Sequence, residues 1–251
     1  MMIKIKSSSE LEIMRENASI LRKILDKVVS RIEPGVTTRE LDSYAEELIL
    51  DADGSPAFKN YRGFPSSLCT SLNEEIVHGI PSDRGLKSGD LLSLDIGIER
   101  DGLFADFATT VTVGDVTDNA ADLMAVTDRA LTEGIKQVNP GNRIGDVSNA
   151  IGSFVTERGY HVVKEFVGHG IGRDMHEDPQ IPNYGEPDTG KRIEEGMVFC
   201  IEPMVKLDDK KVEVLDDGWT TVTADRGLSA HFEGMVAATN DGPEVLVRGG
   251  L

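Results

Sequence analysis

The sequence predicts an α+β fold in which a run of helix, helix and strands occurs twice around one core. Three observations carry this expectation. Ile32-Glu33-Pro34-Gly35 recurs as Val138-Asn139-Pro140-Gly141, an offset of 106 residues, each time between a longer amphipathic stretch and a shorter one. Apolar runs of β-type, bounded by turn residues, follow the helices in both halves. At 251 residues and 39% hydrophobic content, the chain is long enough to bury a substantial core as one large domain or two small ones. The shared helix context weighs against a coincidence of two Pro-Gly turns. It predicts one core under pseudo-twofold symmetry, and hence a single domain over residues 1–251 with repeats at roughly 9–113 and 117–245.

The first helix is expected to open on a capping box of Ser9 and Glu12. Leu11, Met14, Ala18, Leu21, Leu25, Val28 and Ile32 fall along one face of it. Beyond Pro34-Gly35, Thr37 and Glu40 form a second capping box for a shorter helix carrying Leu41, Ala45, Leu48 and Ile49. Residues 91–98 read as a strand, Arg100-Asp101-Gly102 as its turn, and 103–113 as the return strand. The second long helix spans about 117–138, with Leu123, Met124, Leu131 and Ile135 apolar. Its shorter partner carries Ile144, Val147, Ile151, Phe154 and Val155. A further strand, 197–201, ends in Glu202-Pro203, and another β-type run surrounds Glu233.

Acids inside these runs are the most informative feature. With a two-residue loop at either Arg100-Asp101 or Asp101-Gly102, Asp95 and Asp106 share one face of the hairpin, directly opposite in the first register. Adding the repeat offset to Asp95 gives position 201, one short of Glu202, and Asp106 has its counterpart in Glu233. Each half thus offers two carboxylates to a shared cleft. Buried acids facing one another are costly to ionise without a cation, and no positive side chain lies near Asp95 or Asp106 in sequence. Hydrogen bonds to amides or a buried arginine could explain any one of the four, but not all together. His169, between Gly168 and Gly170, supplies the missing nitrogen donor. A lone loop histidine is more often structural, and it is the carboxylate set that raises this one to a candidate ligand. Such a donor set favours manganese, iron, cobalt or zinc, and a bridged pair of ions points to hydrolysis.

Composition narrows the class further. A net charge of −18 argues against nucleic acid as a partner, because phosphate binding draws on Lys and Arg. No run of about 18 apolar residues exists to span a membrane, and the amino-terminal residues lack the pattern of a signal peptide. Cys69 and Cys200 are the only cysteines, too few for a disulfide framework and too separated for a thiolate zinc site. A reducing cytoplasm is expected.

Taken in order, several segments resemble the type I methionine aminopeptidases over essentially the whole chain. They are Ser71-Leu72-Asn73-Glu74-Glu75-Ile76-Val77-His78-Gly79-Ile80-Pro81, Leu94-Asp95 with Asp106, Gly168-His169-Gly170-Ile171-Gly172-Arg173 and His176-Glu177-Asp178-Pro179-Gln180. Ile201-Glu202-Pro203-Met204, Asp217-Gly218-Trp219 and Ser229-Ala230-His231-Phe232-Glu233 complete the set. The resemblance implies the "pita-bread" fold, with duplicated halves around a curved antiparallel sheet. It implies two divalent ions (cobalt, manganese, iron or zinc), with Asp95 chelating one, Asp106 and Glu233 bridging, and His169 and Glu202 completing the other. His78 and His176 would contact the scissile peptide, and Glu202 would also shuttle protons. Tyr61, Phe64, Cys69 and Trp219 would line a methionine pocket, and Met175 stands where the family commonly has an aromatic residue. The implied substrates are N-termini of peptides or of nascent chains at the ribosome, and the implied state is a monomer. Only 25 residues separate His176 from Glu202, which suits the short bacterial-style form.

Three other readings carry distinguishing signals. A prolidase usually has a separate amino-terminal domain, and only about 30 residues precede the first Pro-Gly here. A binding module that had lost catalysis would lack ligands, and all five are present. A phosphohydrolase would need Lys or Arg beside the acids to hold phosphate.

Overall fold

A computed structural model describes residues 3–250. The first half contains α1 (Ser8–Val29), α2 (Thr38–Asp51), β1 (Ser55–Pro56), β2 (Leu68–Leu72), β3 (Glu75–Val77), β4 (Leu91–Arg100) and β5 (Leu103–Thr112). The second half contains α3 (Asp118–Ile135), α4 (Ile144–Thr156), β6 (His161–Val162), β7 (Val167–Gly170), β8 (Glu177–Pro182) and β9 (Val198–Ile201). It continues through β10 (Met204–Lys206), β11 (Val212–Val214), β12 (Thr221–Thr223), β13 (Ser229–His231), β14 (Gly234–Thr239) and β15 (Gly242–Arg248). The order helix, helix, strands is therefore run through twice.

The helix starts follow side-chain chemistry closely, with one correction. The first capping box is Ser7 with Glu10, two residues earlier than Ser9 with Glu12. Ser7 and Glu10 satisfy each other's free amides, at 3.3 and 2.9 Å. Glu12 instead pairs with Arg15 on the exposed face. The second box, Thr37 with Glu40, forms as expected. Met14, Ala18, Leu21, Leu25 and Val28 are buried, while Ile32 lies past the end of α1 and is only partly covered. Thr117 caps α3, which stops at Ile135, short of the expected 138.

The two central hairpin strands are set by their turn. Asp101 and Gly102 both have positive φ, 54° and 75°, so the two-residue loop is theirs and Arg100 pairs with Leu103. Asp95 therefore faces Ala108, and Asp106 faces Gly97. The two acids are diagonal neighbours on one face rather than directly opposite, because the second of the two possible registers is adopted.

β4 lies between β2 and β5, and β9 lies between β7 and β14, all antiparallel. The halves are stitched at several points, among them the pairing of β3 with β12, and one lies beside Glu233. The Glu233 amide donates to the Ala108 carbonyl at 2.9 Å, and the Glu233 carbonyl accepts from Gly249 at 2.7 Å. Gly249 lies so close that a Cβ there would sit 1.9 Å from the Ala108 oxygen. One apolar cluster joins Met14, Leu41, Leu94 and Ile96 of the first half to Val198, Met235 and Ala237 of the second, so the core crosses the seam. A second cluster packs α3 and α4 onto β9 and β14. Among the described residues no helix is long and apolar enough to cross a membrane.

Candidate metal centre and substrate cavity

Five side chains converge on the seam from five different segments. Asp95 comes from β4, Asp106 from β5, His169 from β7, Glu202 from the break after β9, and Glu233 from the step before β14. Pro203 ends the β9 ladder, since it has no amide to donate, and the turn swings Glu202 inward. β7 can run close to its neighbours only because of its glycines. A Cβ on Gly168 would lie 2.4 Å from the Cys200 carbonyl, and one on Gly170 would lie 2.4 Å from the Asp178 carbonyl. These glycines let the strand carrying His169 pack between its neighbours.

The site is electrostatically unfinished. Asp95 Oδ1, Asp106 Oδ1 and Glu233 Oε1 are buried without a hydrogen-bond partner. Among the described residues, no lysine or arginine is paired with any of the four acids; their only ion-pair neighbours are imidazoles. Burial raises the pKa of Asp95 to about 7, with Asp106 as its hydrogen-bond partner. Asp106, Glu202 and Glu233 are pushed well above the usual carboxylate range, first by burial and then by the negative charge of one another and of Asp95.

His169 has one ring nitrogen left free towards the acids. A carbonyl can only accept, so the 2.9 Å contact of Nδ1 with the Gly170 oxygen places the ring proton on Nδ1. Nε2 is then a bare lone pair, 3.8 Å from Asp106 Oδ2 and 3.7 Å from Glu202 Oε1. Burial lowers its pKa to about 4, which keeps the ring neutral. Ligand atoms of Asp106, His169, Cys200 and Glu233 all lie within 4.8 Å of one another. Burial and the adjacent acids raise the Cys200 thiol, so it stays protonated and a poor ligand beside the carboxylates. Bare carboxylate oxygens, one bare imidazole nitrogen and no competing cation fit hard or borderline divalent ions.

Directly above this floor is a cavity of about 150 Å³. Tyr61, Phe64, Cys69, His78, His176 and Trp219 all line it, together with the five metal-ligand candidates. Met175 is buried in its wall, and Asp174 beside it points outward to Lys4. Phe64 meets Trp219 edge-on at 5.2 Å, and His78 meets Phe166 edge-on at 5.3 Å. His78 holds φ at 59°, an unusual conformation for a residue with a side chain. At the rim, His176 Nδ1 is 2.9 Å from the Tyr61 hydroxyl, and the two rings stack at 5.3 Å. Burial lowers the pKa of His78. It also lowers that of His176, whose charged form is further disfavoured by His169.

Sequence reasoning does not single out Phe58, Cys200 or His231. Phe58 also lines the cavity, but next to Ala57 in a turn it carries no periodic signal. Cys200 reads as one more apolar residue of β9. The available clue for His231 is its place two residues before Glu233 in a β-type run. It is 1% exposed, and neither ring nitrogen has a hydrogen-bond partner.

A cluster of carboxylates and one imidazole beneath an apolar cavity is the signature of a metal-dependent hydrolase, and the chain belongs to the metallopeptidase family M24, matching it over residues 12–240. It is 45% identical to methionine aminopeptidase 1 of Bacillus subtilis over 98% of its own length and 100% of that protein. In shape it is similar to the crystal structure of methionine aminopeptidase from Rickettsia prowazekii, with a TM-score of 0.96, 39% identity and coverage of 98% and 99% of the two chains. The fold is therefore the pita-bread fold. Prolidase from Pyrococcus furiosus shares that fold, with a TM-score of 0.77 and 24% identity, but this chain covers only 64% of it.

Proposed function

We propose that the chain is a metal-dependent aminopeptidase that removes N-terminal methionine from peptides and nascent proteins, preferring a small second residue. The observation that carries this is the set of unpartnered acid oxygens and the bare His169 nitrogen at the floor of an aromatic and sulfur-lined cavity. The proposal treats residues 1–251 as one catalytic domain made of two related halves, roughly 9–113 and 117–245.

Asp95, Asp106, His169, Glu202 and Glu233 hold two divalent ions. When bound, these supply Lewis-acid polarisation of the peptide carbonyl and acidify water. The methionine side chain enters between Phe64, Cys69, Trp219 and Met175, where a polarisable thioether packs well against rings and sulfur. Glu202 accepts a proton from the attacking water and returns it to the departing amine. His78 and His176, kept neutral, donate N–H groups to the charge developing on the carbonyl oxygen. A Tyr61 hydroxyl donating to Nδ1 of His176 leaves the proton on Nε2, the nitrogen free to face the substrate. The same stacked pair narrows the rim where the second residue must lie, which disfavours bulky ones.

The cytoplasm is the proposed setting, consistent with two buried cysteines that are not joined. A monomer and nascent chains at the ribosome complete the proposal. Cleavage of Met-Ala-Ser and Met-Leu-Ser, with added manganese and with chelator, tests the function. Fast release of methionine from the first peptide alone, abolished by chelator, is expected. Equal rates, or indifference to chelator, would contradict it.

A further inference from the structure

Buried imidazoles are rarely left without partners, yet His231 has none at either nitrogen. The direction of its ring is fixed by the main chain. Its amide donates to Thr110 Oγ1 at 2.9 Å, the same hydroxyl donates to its carbonyl at 2.8 Å, and it pairs with Met204 across β10 and β13. So held, its Nε2 lies 3.9 Å from Oε2 of Glu202.

Glu202 therefore stands between two imidazoles, one for each oxygen. Oε1 faces His169 Nε2 at 3.7 Å, and Oε2 faces His231. The two rings are not equivalent. His169 commits its proton to the Gly170 carbonyl, so the nitrogen facing Glu202 is bare. No carbonyl engages Nδ1 of His231, so its proton is free to sit on Nε2, facing the carboxylate. Asn183 donates to the main-chain carbonyl of Glu202 and not to its carboxylate, which among the described residues has no rival side-chain donor.

We propose that His231 is a positioning residue whose Nε2–H donates to Oε2 of Glu202, holding Oε1 turned towards His169. The inference rests on the reading of Glu202 as metal ligand and proton carrier. A shift of about 1 Å by the carboxylate brings the pair to hydrogen-bonding distance. A carboxylate that must both ligate and transfer protons gains from having its second oxygen fixed. Partners of this kind are typically worth roughly 10–100-fold in metal affinity or activity.

The test compares wild type with His231→Phe, which keeps a ring but no donor, and His231→Gln, whose amide reaches about as far as Nε2. Manganese affinity is measured by calorimetry on chelator-treated protein, and kcat and KM on Met-Ala-Ser at saturating manganese. His231→Phe should bind manganese about 10–100-fold more weakly and lose kcat in similar measure with KM nearly unchanged, and His231→Gln should recover both. Nitrogen NMR of histidine-labelled, zinc-loaded wild type should show His231 as the Nε2–H tautomer with neither nitrogen metal-shifted, whether or not the variants fold. Wild-type affinity and kcat in His231→Phe would overturn the proposal, as would a metal-shifted His231 nitrogen. Wild type that binds no manganese would remove the metal-centre reading and this proposal with it, whereas binding that is indifferent to His231 removes this proposal alone.

Discussion

Replacing Asp95 by asparagine should stabilise the ion-free protein while depriving the loaded one of its stabilisation by metal. Without ions, burial raises the Asp95 carboxyl from 3.8 to about 7. A group whose pKa is higher in the folded state binds protons more tightly there. Its contribution to stability is complete below the unfolded value and is lost as pH rises through the folded one. At about 1.4 kcal/mol per unit, a rise of about three units removes about 4 kcal/mol above pH 7. Asparagine carries no charge to desolvate, and its carboxamide can donate to Asp106. For a chain of this length, about 4 kcal/mol corresponds to a melting temperature roughly 10 °C higher. Thermal unfolding in chelator at pH 8.5 should show Asp95→Asn melting above wild type by that order, with the gap narrowing by more than half at pH 5. Saturating manganese should raise the wild-type melting temperature strongly and that of the variant little. A variant less stable than wild type in chelator at pH 8.5 would refute the reasoning, because it would mean that Asp95 already has a favourable partner in the protein.

Three further outcomes follow from the same geometry. Manganese binding should release protons, because Asp106, Glu202 and Glu233 are all held above their ordinary pKa in the ion-free site. Calorimetry near pH 6.5 in buffers of different ionisation enthalpy should give heats that scale with the buffer, and buffer-independent heats would contradict this. Tyr61→Phe removes the hydroxyl at 2.9 Å from His176 Nδ1 and should lower kcat about tenfold, the equivalent of one hydrogen bond of about 1.4 kcal/mol, without changing manganese affinity. Lys6→Met should destabilise the fold by about 3 kcal/mol in chemical denaturation, since it removes the cation that Glu177 Oε2 meets at 2.6 Å in a buried pair and leaves Oε1 with the Arg173 and Asp174 amides. The loss should be reduced by adding Glu177→Gln to the same chain.

What could be read from the sequence divides along a physical line. Features decided by residues a few positions apart were legible. Thr37 and Glu40 make their capping box because both partners lie within one turn. Ser9 and Glu12 did not, because Ser7 and Glu10 offer the same pattern two residues earlier and the chain takes that start. Features decided by one backbone angle were legible only as alternatives. Asp95 and Asp106 share a face under either loop, but the positive φ of Asp101 and Gly102 selects the diagonal register. Features decided by atoms far apart in the chain were not legible. Even the bond from His169 Nδ1 to the carbonyl of the very next residue, Gly170, needs a ring orientation that the neighbouring residue types do not specify. Nor does anything near Cys200 or His231 distinguish them from the apolar residues around them.

The acids are the exception to that line, and the reason lies in conflict between levels of structure. A strand such as β4 places Leu94 and Ile96 in the core, and an aspartate between them works against the burial that forms the strand. Folding alone gives no reason to keep it. When four such acids meet at one seam, with the charge of Asp95 raising the pKa of each of the other three, the ion-free protein carries a strain that its own side chains leave unrelieved. The same mutual repulsion that weakens the fold is what makes the seam attract divalent cations. Stability and ligand affinity are therefore coupled through a single set of oxygens, and a substitution that relaxes one must diminish the other.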